Sequence, residues 1–197
     1  MKISIEEIRL RVISEINKDP FAESGSWRLI KEKLPEQYWS FLIDRAGHAA
    51  FLKELPSIFS KDIIGGDAEA QRCWEIIGNF YKNQNRLYEA TSIYISLYNQ
   101  LLDYQEKTKK RVHKGVPLVW ISDCYYAMGF PVLAKRCLML ALCENAIHEK
   151  GVVPVETTGT YWRLVYRHGL LDTEISRYAA KAYKLSEENE EITFFPE

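Results

Sequence analysis

Apolar residues recur three and four positions apart along most of the chain, and polar breaks separate the runs. The first run is Ile5, Ile8, Val12, Ile13 and Ile16. Ser4 is placed to cap it, and Glu6 and Glu7 sit in its first turn, where the helix dipole favours negative charge. Asp19-Pro20 ends it, because the residue before a proline is biased away from the helical region. Glu23-Ser24-Gly25-Ser26 reads as a turn with Ser26 as the next cap. Trp27, Leu29, Ile30 and Leu34 follow, then Pro35 at a first helical position. The spacing predicts a helix from Glu36 to Leu55, with Tyr38, Trp39, Leu42, Ile43, Ala46, Ala50 and Phe51 on its apolar face. Pro56 is expected to stop or bend it. Ile63-Ile64-Gly65-Gly66-Asp67 is the strongest break in the chain, and Asp67 is a candidate cap for what comes next.

The stretch from Gln71 to Tyr98 organises the rest. Trp74, Ile77, Gly78 and Tyr81 lie before a polar segment, Lys82 to Arg86, and Ala90, Tyr94 and Leu97 lie after it. This predicts two helices joined by a tight turn, brought close by the small residues Gly78 and Ala90, with aromatic rings filling what remains. The second helix runs on through Leu101, Leu102 and Tyr104. Lys107 to Gly115 lacks apolar periodicity and reads as an extended helix or loop. Pro117 opens a second pair: Leu118, Ile121, Ser122 and Tyr125, a turn at Gly129, then Ala134, Leu138 and Ala141. A third pair runs from Tyr161 to His168, turns at Gly169, and resumes from a cap at Asp172 with Ile175, Tyr178, Ala179, Ala182 and Leu185. Asn85, Gly129 and Gly169 fill the same turn slot, and all three residue types tolerate a left-handed backbone. Glu187 to Glu191 reads as solvated. Ile192 to Glu197 is an apolar tail suited to docking onto the body, or to a chain cut before a further domain. Val152-Val153-Pro154-Val155 is the nearest approach to a strand and is broken by proline. The chain reads as all-α, with roughly nine or ten helices.

The slots Trp74, Ile77, Gly78 and Tyr81, then Ala90 and Tyr94, resemble the tetratricopeptide repeat pattern Trp-x2-Leu-Gly-x2-Tyr, Ala, aromatic. Leu97 is larger than the family's usual Ala. The equivalent alanines Ala90 and Ala134 are 44 residues apart, against about 34 in the family; the surplus falls on the basic run. Trp162 stands where the family places a small residue, so either the register shifts there or the third hairpin is splayed. The resemblance implies helical hairpins stacked as a short right-handed solenoid over residues 65–197, with an N-terminal helical cap over 1–64, since the end of a repeat stack must be covered. It also implies a binding role: an adaptor or scaffold holding a protein or peptide partner on its concave face, without catalysis and without a cofactor.

In that family the first helix of each pair lines the concave face. The residues this implies are Arg72, Glu75, Asn79, Lys82 and Asn83 in the first pair, Val119, Trp120, Asp123 and Tyr126 in the second, and Arg163, Tyr166 and Arg167 in the third. Arg72, Lys82, Arg163 and Arg167 on one groove would suit an anionic ligand. Glu75 stands where carboxylate-binding members have a lysine, which argues against a simple carboxylate clamp.

Composition narrows the alternatives. The net charge of −1 gives no global field toward nucleic acid or membrane, so such binding would need a local patch. The patch on offer is Lys107, Lys109, Lys110, Arg111 and Lys114, with His113 among them. It has the density phosphates require but no interleaved aromatics for base stacking. A sensor recognising a nucleotide or nucleic acid through this run with Arg163 and Arg167 is the second reading. The third is an RNA-cleaving homodimer: Arg163 and His168 form an Arg-x4-His, similar to the ribonuclease motif of HEPN domains, although Leu164 follows the arginine where that family has a polar residue. Against it, His168 stands at the end of its helix beside Gly169, where a positive ring is favoured. No apolar run approaches a bilayer span, and the opening Met1 to Glu7 turns acidic without a signal-peptide pattern. Cys73, Cys124, Cys137 and Cys143 form no Cys-x2-Cys pair and sit in apolar helical patterns, as free buried thiols of a cytoplasmic protein would. His48, His113 and His148 pair with no acid or thiol at metal-ligand spacing, although Asp44 could meet His48. Glu144 has no visible partner acid. There is no phosphate-binding glycine loop and no nucleophile elbow.

Overall fold

The computed structural model describes residues 4–18, 28, 30–32, 34, 36–43, 47–63, 68–109, 111–150 and 159–188. The chain is all-α. Among the described residues nine helices can be delimited and there is no strand. They are α1 (Ile5–Ile16), α2 (Glu36–Ile43), α3 (His48–Ile63), α4 (Ala68–Asn83), α5 (Leu87–Thr108), α6 (Gly115–Ala127), α7 (Pro131–His148), α8 (Gly159–His168) and α9 (Asp172–Glu187). The expectations placed on Asp19-Pro20, Glu23 to Ser26, Pro35, Asp44, Ala46, Asp67, Lys110, Val152 to Val155 and the tail beyond Glu188 lie outside the described residues.

The chain forms two compact units, Met1–Thr108 and Lys109–Glu197. Within the first unit α3 packs on both α4 and α5. Ser4 caps α1 as expected, its hydroxyl accepting from the Glu7 N–H at 3.2 Å. The helix expected from Glu36 to Leu55 is instead two helices. α2 ends at Ile43, Gly47 is a turn, and α3 runs from His48 straight through Pro56 to Ile63. Proline inside a helix removes one backbone donor. Here the neighbouring Ser57 hydroxyl donates to the Glu54 carbonyl at 2.7 Å, within the disturbed turn.

The centre of the first unit is the α4–α5 hairpin. Trp74, Ile77, Tyr81, Ala90, Ile93, Tyr94 and Leu97 are fully buried, and large side chains of this kind contribute roughly 1.5–3 kcal/mol each on leaving water. Gly78 faces the Tyr94 ring so closely that a Cβ added there would lie 2.2 Å from Tyr94 Cε1. The Tyr94 hydroxyl donates to Asn79 Oδ1 at 3.0 Å, which fixes the ring in that gap. Arg86, in the turn, is 4% exposed. Its Nη1 donates to the Leu42 carbonyl at 2.8 Å, its Nε to Glu89 at 3.1 Å, and its guanidinium lies over the Tyr81 ring. The last carbonyls of a helix lack intrahelical donors, so Arg86 supplies one to the end of α2 and ties α2 to the hairpin.

In the second unit α7 is the axis. α6 packs along it as a hairpin partner, and α8 and α9 both lie against it. Leu138, Met139, Leu142 and Ala146 of α7 meet Tyr161 and Leu164 of α8, then Leu170, Ile175 and Ala179. Ala134 and Ala141 are fully buried. Trp162 is not in a packing slot: it is 41% exposed and stacks on Tyr166, which is 75% exposed. The two turns of this unit and the one of the first share a geometry. Asn85, Gly129 and Gly169 have φ of 57°, 83° and 65°. The next residue's N–H then reaches back across the turn, Arg86 to Tyr81 O at 2.9 Å, Phe130 to Tyr125 O at 2.8 Å and Leu170 to Leu164 O at 3.2 Å. These bonds satisfy orphan carbonyls at the helix ends.

Replacing Gly78 by Ala should therefore destabilise the first unit, although alanine is the better helix former by roughly 1 kcal/mol. The overpacking against Tyr94 outweighs that gain, and the expected net loss is about 1–2 kcal/mol in urea unfolding. The loss should shrink when Tyr94 is also changed to Leu; equal losses in both backgrounds would mean that the ring does not set the approach.

Candidate binding site

The helical period places Val116, Val119, Trp120, Asp123 and Tyr126 along one side of α6, and Gly159, Thr160, Arg163 and Arg167 along one side of α8. The structure joins these two sides through Asp123. Arg163 meets it with two parallel bonds, Nε to Oδ1 and Nη2 to Oδ2, both 2.7 Å. Arg167 adds Nη1 to Oδ1 at 2.6 Å. Arg163 also donates Nη1 to the Gly159 carbonyl at 2.8 Å, one turn back on its own helix. Arg163 and Arg167 thus share one carboxylate, and Arg163 has each of its guanidinium nitrogens engaged. Burial alone would raise the Asp123 carboxyl. The hydrogen bonds and charges of Arg163 and Arg167 outweigh it and hold the group below its ordinary range.

Further along α8 the Arg167 guanidinium lies over the Tyr126 ring, 4.8 Å from its centroid. His168 meets the same ring edge-on at 5.9 Å. His168 does end α8, but its ring is not the positive cap expected. Burial, then the charges of Lys135 and Arg167, push it toward the neutral form, and its Nε2 is buried without a hydrogen-bond partner among the described residues.

At the other end of the same pair of helices lies a cavity of about 230 Å³ lined by Gly115, Val116, Val119, Trp120, Asn145, Gly159 and Thr160. Small-molecule sites typically enclose roughly 300–1,000 Å³, so this one has room for a side chain rather than a cofactor. Its polar wall is a chain of bonds: His113 Nε2 to Asn145 Oδ1 at 2.7 Å, and Asn145 Nδ2 to Thr160 Oγ1 at 3.3 Å. Asn145 and Thr160 were not anticipated. The signal available for Asn145 was a carboxamide one position before the buried Ala146 and three after the buried Leu142.

The basic run begins on the extended α5, which carries Lys107, and continues as a loop through residues 109 and 111–114. Lys107 and Lys109 are exposed. Arg111 and Lys114 instead fold back onto α7 and share Glu144, at 3.2 and 3.3 Å. Lys114 is only 3% exposed and also donates to the Val112 carbonyl. Glu144 thus has two cations, not an acid, as partners. The His113 and His148 rings lie 4.9 Å apart, tilted at 38°. Burial lowers its pKa first; the Asn145 bond and Glu144 oppose that, while His148 and Lys114 add to it.

Of the residues expected on the first pair's concave face, Arg72 and Asn83 are exposed on α4, Glu75 and Lys82 are half-buried, and Asn79 is engaged by Tyr94 within its own hairpin. The four cysteines are free thiols. Among the described residues no group of three His, Cys, Asp or Glu side chains could hold a metal ion, and no helix is long and apolar enough to cross a membrane. Compared with known protein families, curated proteins and solved structures, the chain finds no match.

The lowered histidine makes stability depend on pH with a definite sign. In the unfolded chain His113 takes up its proton near its ordinary value of 6.5, whereas the folded protein resists protonation until lower pH. Between those two values the unfolded state binds more protons, so stability rises with pH and is lost as pH falls below about 6.5. His48 and His168 are lowered in the same direction. Melting temperatures from pH 7.5 to 5 should fall, and His113→Gln should flatten the slope; a slope identical to the parent's would remove His113 as a contributor.

Proposed function

We propose that this chain is a tetratricopeptide-like interaction protein of the cytoplasm, without catalytic activity, that seats a protein or peptide partner along the channel between α6 and α8. The observation that carries the reading is the bridge of Asp123 to Arg163 and Arg167, which holds two first-of-pair helices side by side with the small cavity at one end. Three hairpin turns in equivalent slots, each with a left-handed residue, support the repeat reading. The stacked and exposed Trp162 and Tyr166, on the same helix as Arg163 and Arg167, support binding, because aromatic and arginine side chains dominate interface energetics. Pairing of Arg111 and Lys114 with Glu144 weighs against nucleic-acid recognition by the basic run. The twofold engagement of Arg163 by Asp123 weighs against its use as a ribonuclease group.

The test is selection of peptides from a random displayed library on the immobilised full-length chain, followed by affinity measurement with Trp162→Ala and Tyr166→Ala variants. Both side chains are exposed, so melting temperatures should stay within about 2 °C. Selected peptides should bind the parent at micromolar levels and each variant about tenfold more weakly. Affinities unchanged in both variants would take the partner away from this channel.

A further inference from the structure

The partner's chemistry can be read from the way Arg167 is held. Its Nη1 is bound to Asp123 and its face lies on Tyr126. The N–H groups on Nε and Nη2 have no hydrogen-bond partner among the described residues, and the residue is 32% exposed. That remaining edge is the two-donor fork that matches a carboxylate, already fixed in place before any ligand arrives. Arg163 differs: its Nε, Nη1 and Nη2 are all engaged. The charge count agrees. Two arginines on one aspartate leave a surplus of one positive charge, and Lys135 adds to the field at the His168 end. One monoanion neutralises the surplus of the Arg163–Asp123–Arg167 cluster itself.

The second determinant is the cavity with Val116, Val119 and Trp120 as its apolar wall. Trp120 and Tyr126, which marks the level of Arg167, are separated along α6 by about 9 Å at 1.5 Å per residue. A peptide in the extended polyproline II form advances about 3.1 Å per residue and brings every third side chain back to the same side, so three residues span the gap with both side chains facing it. Resting on the peptide-binding reading above, we infer that the occupant is an extended segment with an apolar side chain in the cavity and, three residues away, an Asp or Glu carboxylate on the free edge of Arg167.

The probes are fluorescein-labelled peptides Ser-Gly-X-Ser-Gly-Z-Ser-Gly, with X as Leu, Phe or Ser and Z as Glu, Gln or phosphoserine, plus the reversed order, read by fluorescence anisotropy with the full-length chain. Glu at Z should bind at least tenfold tighter than Gln, and Leu or Phe at X at least fivefold tighter than Ser. In Arg167→Gln the Glu-to-Gln preference should fall below threefold with the apolar preference kept; Arg167→Lys should restore only part of it. Equal binding of Glu and Gln peptides, or tighter binding of phosphoserine, would overturn the carboxylate assignment. If library-selected peptides bind but none of this set does, the motif is wrong while peptide binding stands. If neither binds and a single-stranded RNA 12-mer does, both readings fall.

Discussion

Close backbone approach is the constraint on which the first unit depends. The Tyr94 ring fills the space a side chain at position 78 would need, and its hydroxyl is fastened to Asn79 on the opposite helix. Contact this tight gives dispersion attraction and excludes water at once, and it fixes the rotation of α5 about α4. The hairpin then becomes a rigid surface for α3. Arg86 extends it to α2 by giving a donor to a carbonyl that the helix itself cannot satisfy. In the second unit the fully buried Ala134 and Ala141 keep side-chain bulk small on α7, about which the other helices assemble.

The binding side of the second unit follows a different principle. α6 and α8 share little direct packing and are linked by polar side chains: a carboxylate serving two guanidinium groups, and a carboxamide passing from His113 to Thr160. Such links hold a gap open where apolar contact would close it. They also place charged groups in a partly dry setting, where a hydrogen bond is worth more than in bulk water. An arginine pinned at one nitrogen and stacked on a ring has already lost most of the freedom that binding would otherwise cost.

Much of this was legible in the sequence, and the failures share a cause. Turn residues were legible because few residue types accept positive φ, so Asn85, Gly129 and Gly169 announce a reversal locally. The central hairpin was legible because small and large residues alternate at helical spacing. Pro56 misled because a helix held by tertiary packing on α4 and α5 tolerates a missing donor. The larger errors concern pairs distant along the chain. Arg111 and Lys114 look like a free basic stretch until Glu144, some thirty residues on, is brought beneath them. Asp123 and Arg163 were placed on one side by repeat alignment, yet nothing local says that they bind each other across 40 positions. Arg86 and the Leu42 carbonyl, 44 positions apart, give no signal at all, since a backbone acceptor has no residue type.

The state of the thiols has a practical consequence. Burial pushes Cys137 up to about 11 and Cys143 up to about 12, and Cys73 and Cys124 are wholly enclosed. The thiolate is the reactive form, so alkylating dyes at neutral pH would find almost none of it in the native chain. Two cysteines introduced at exposed positions would then react ahead of the native sulfurs and carry a pair of spectroscopic reporters for a distance measurement.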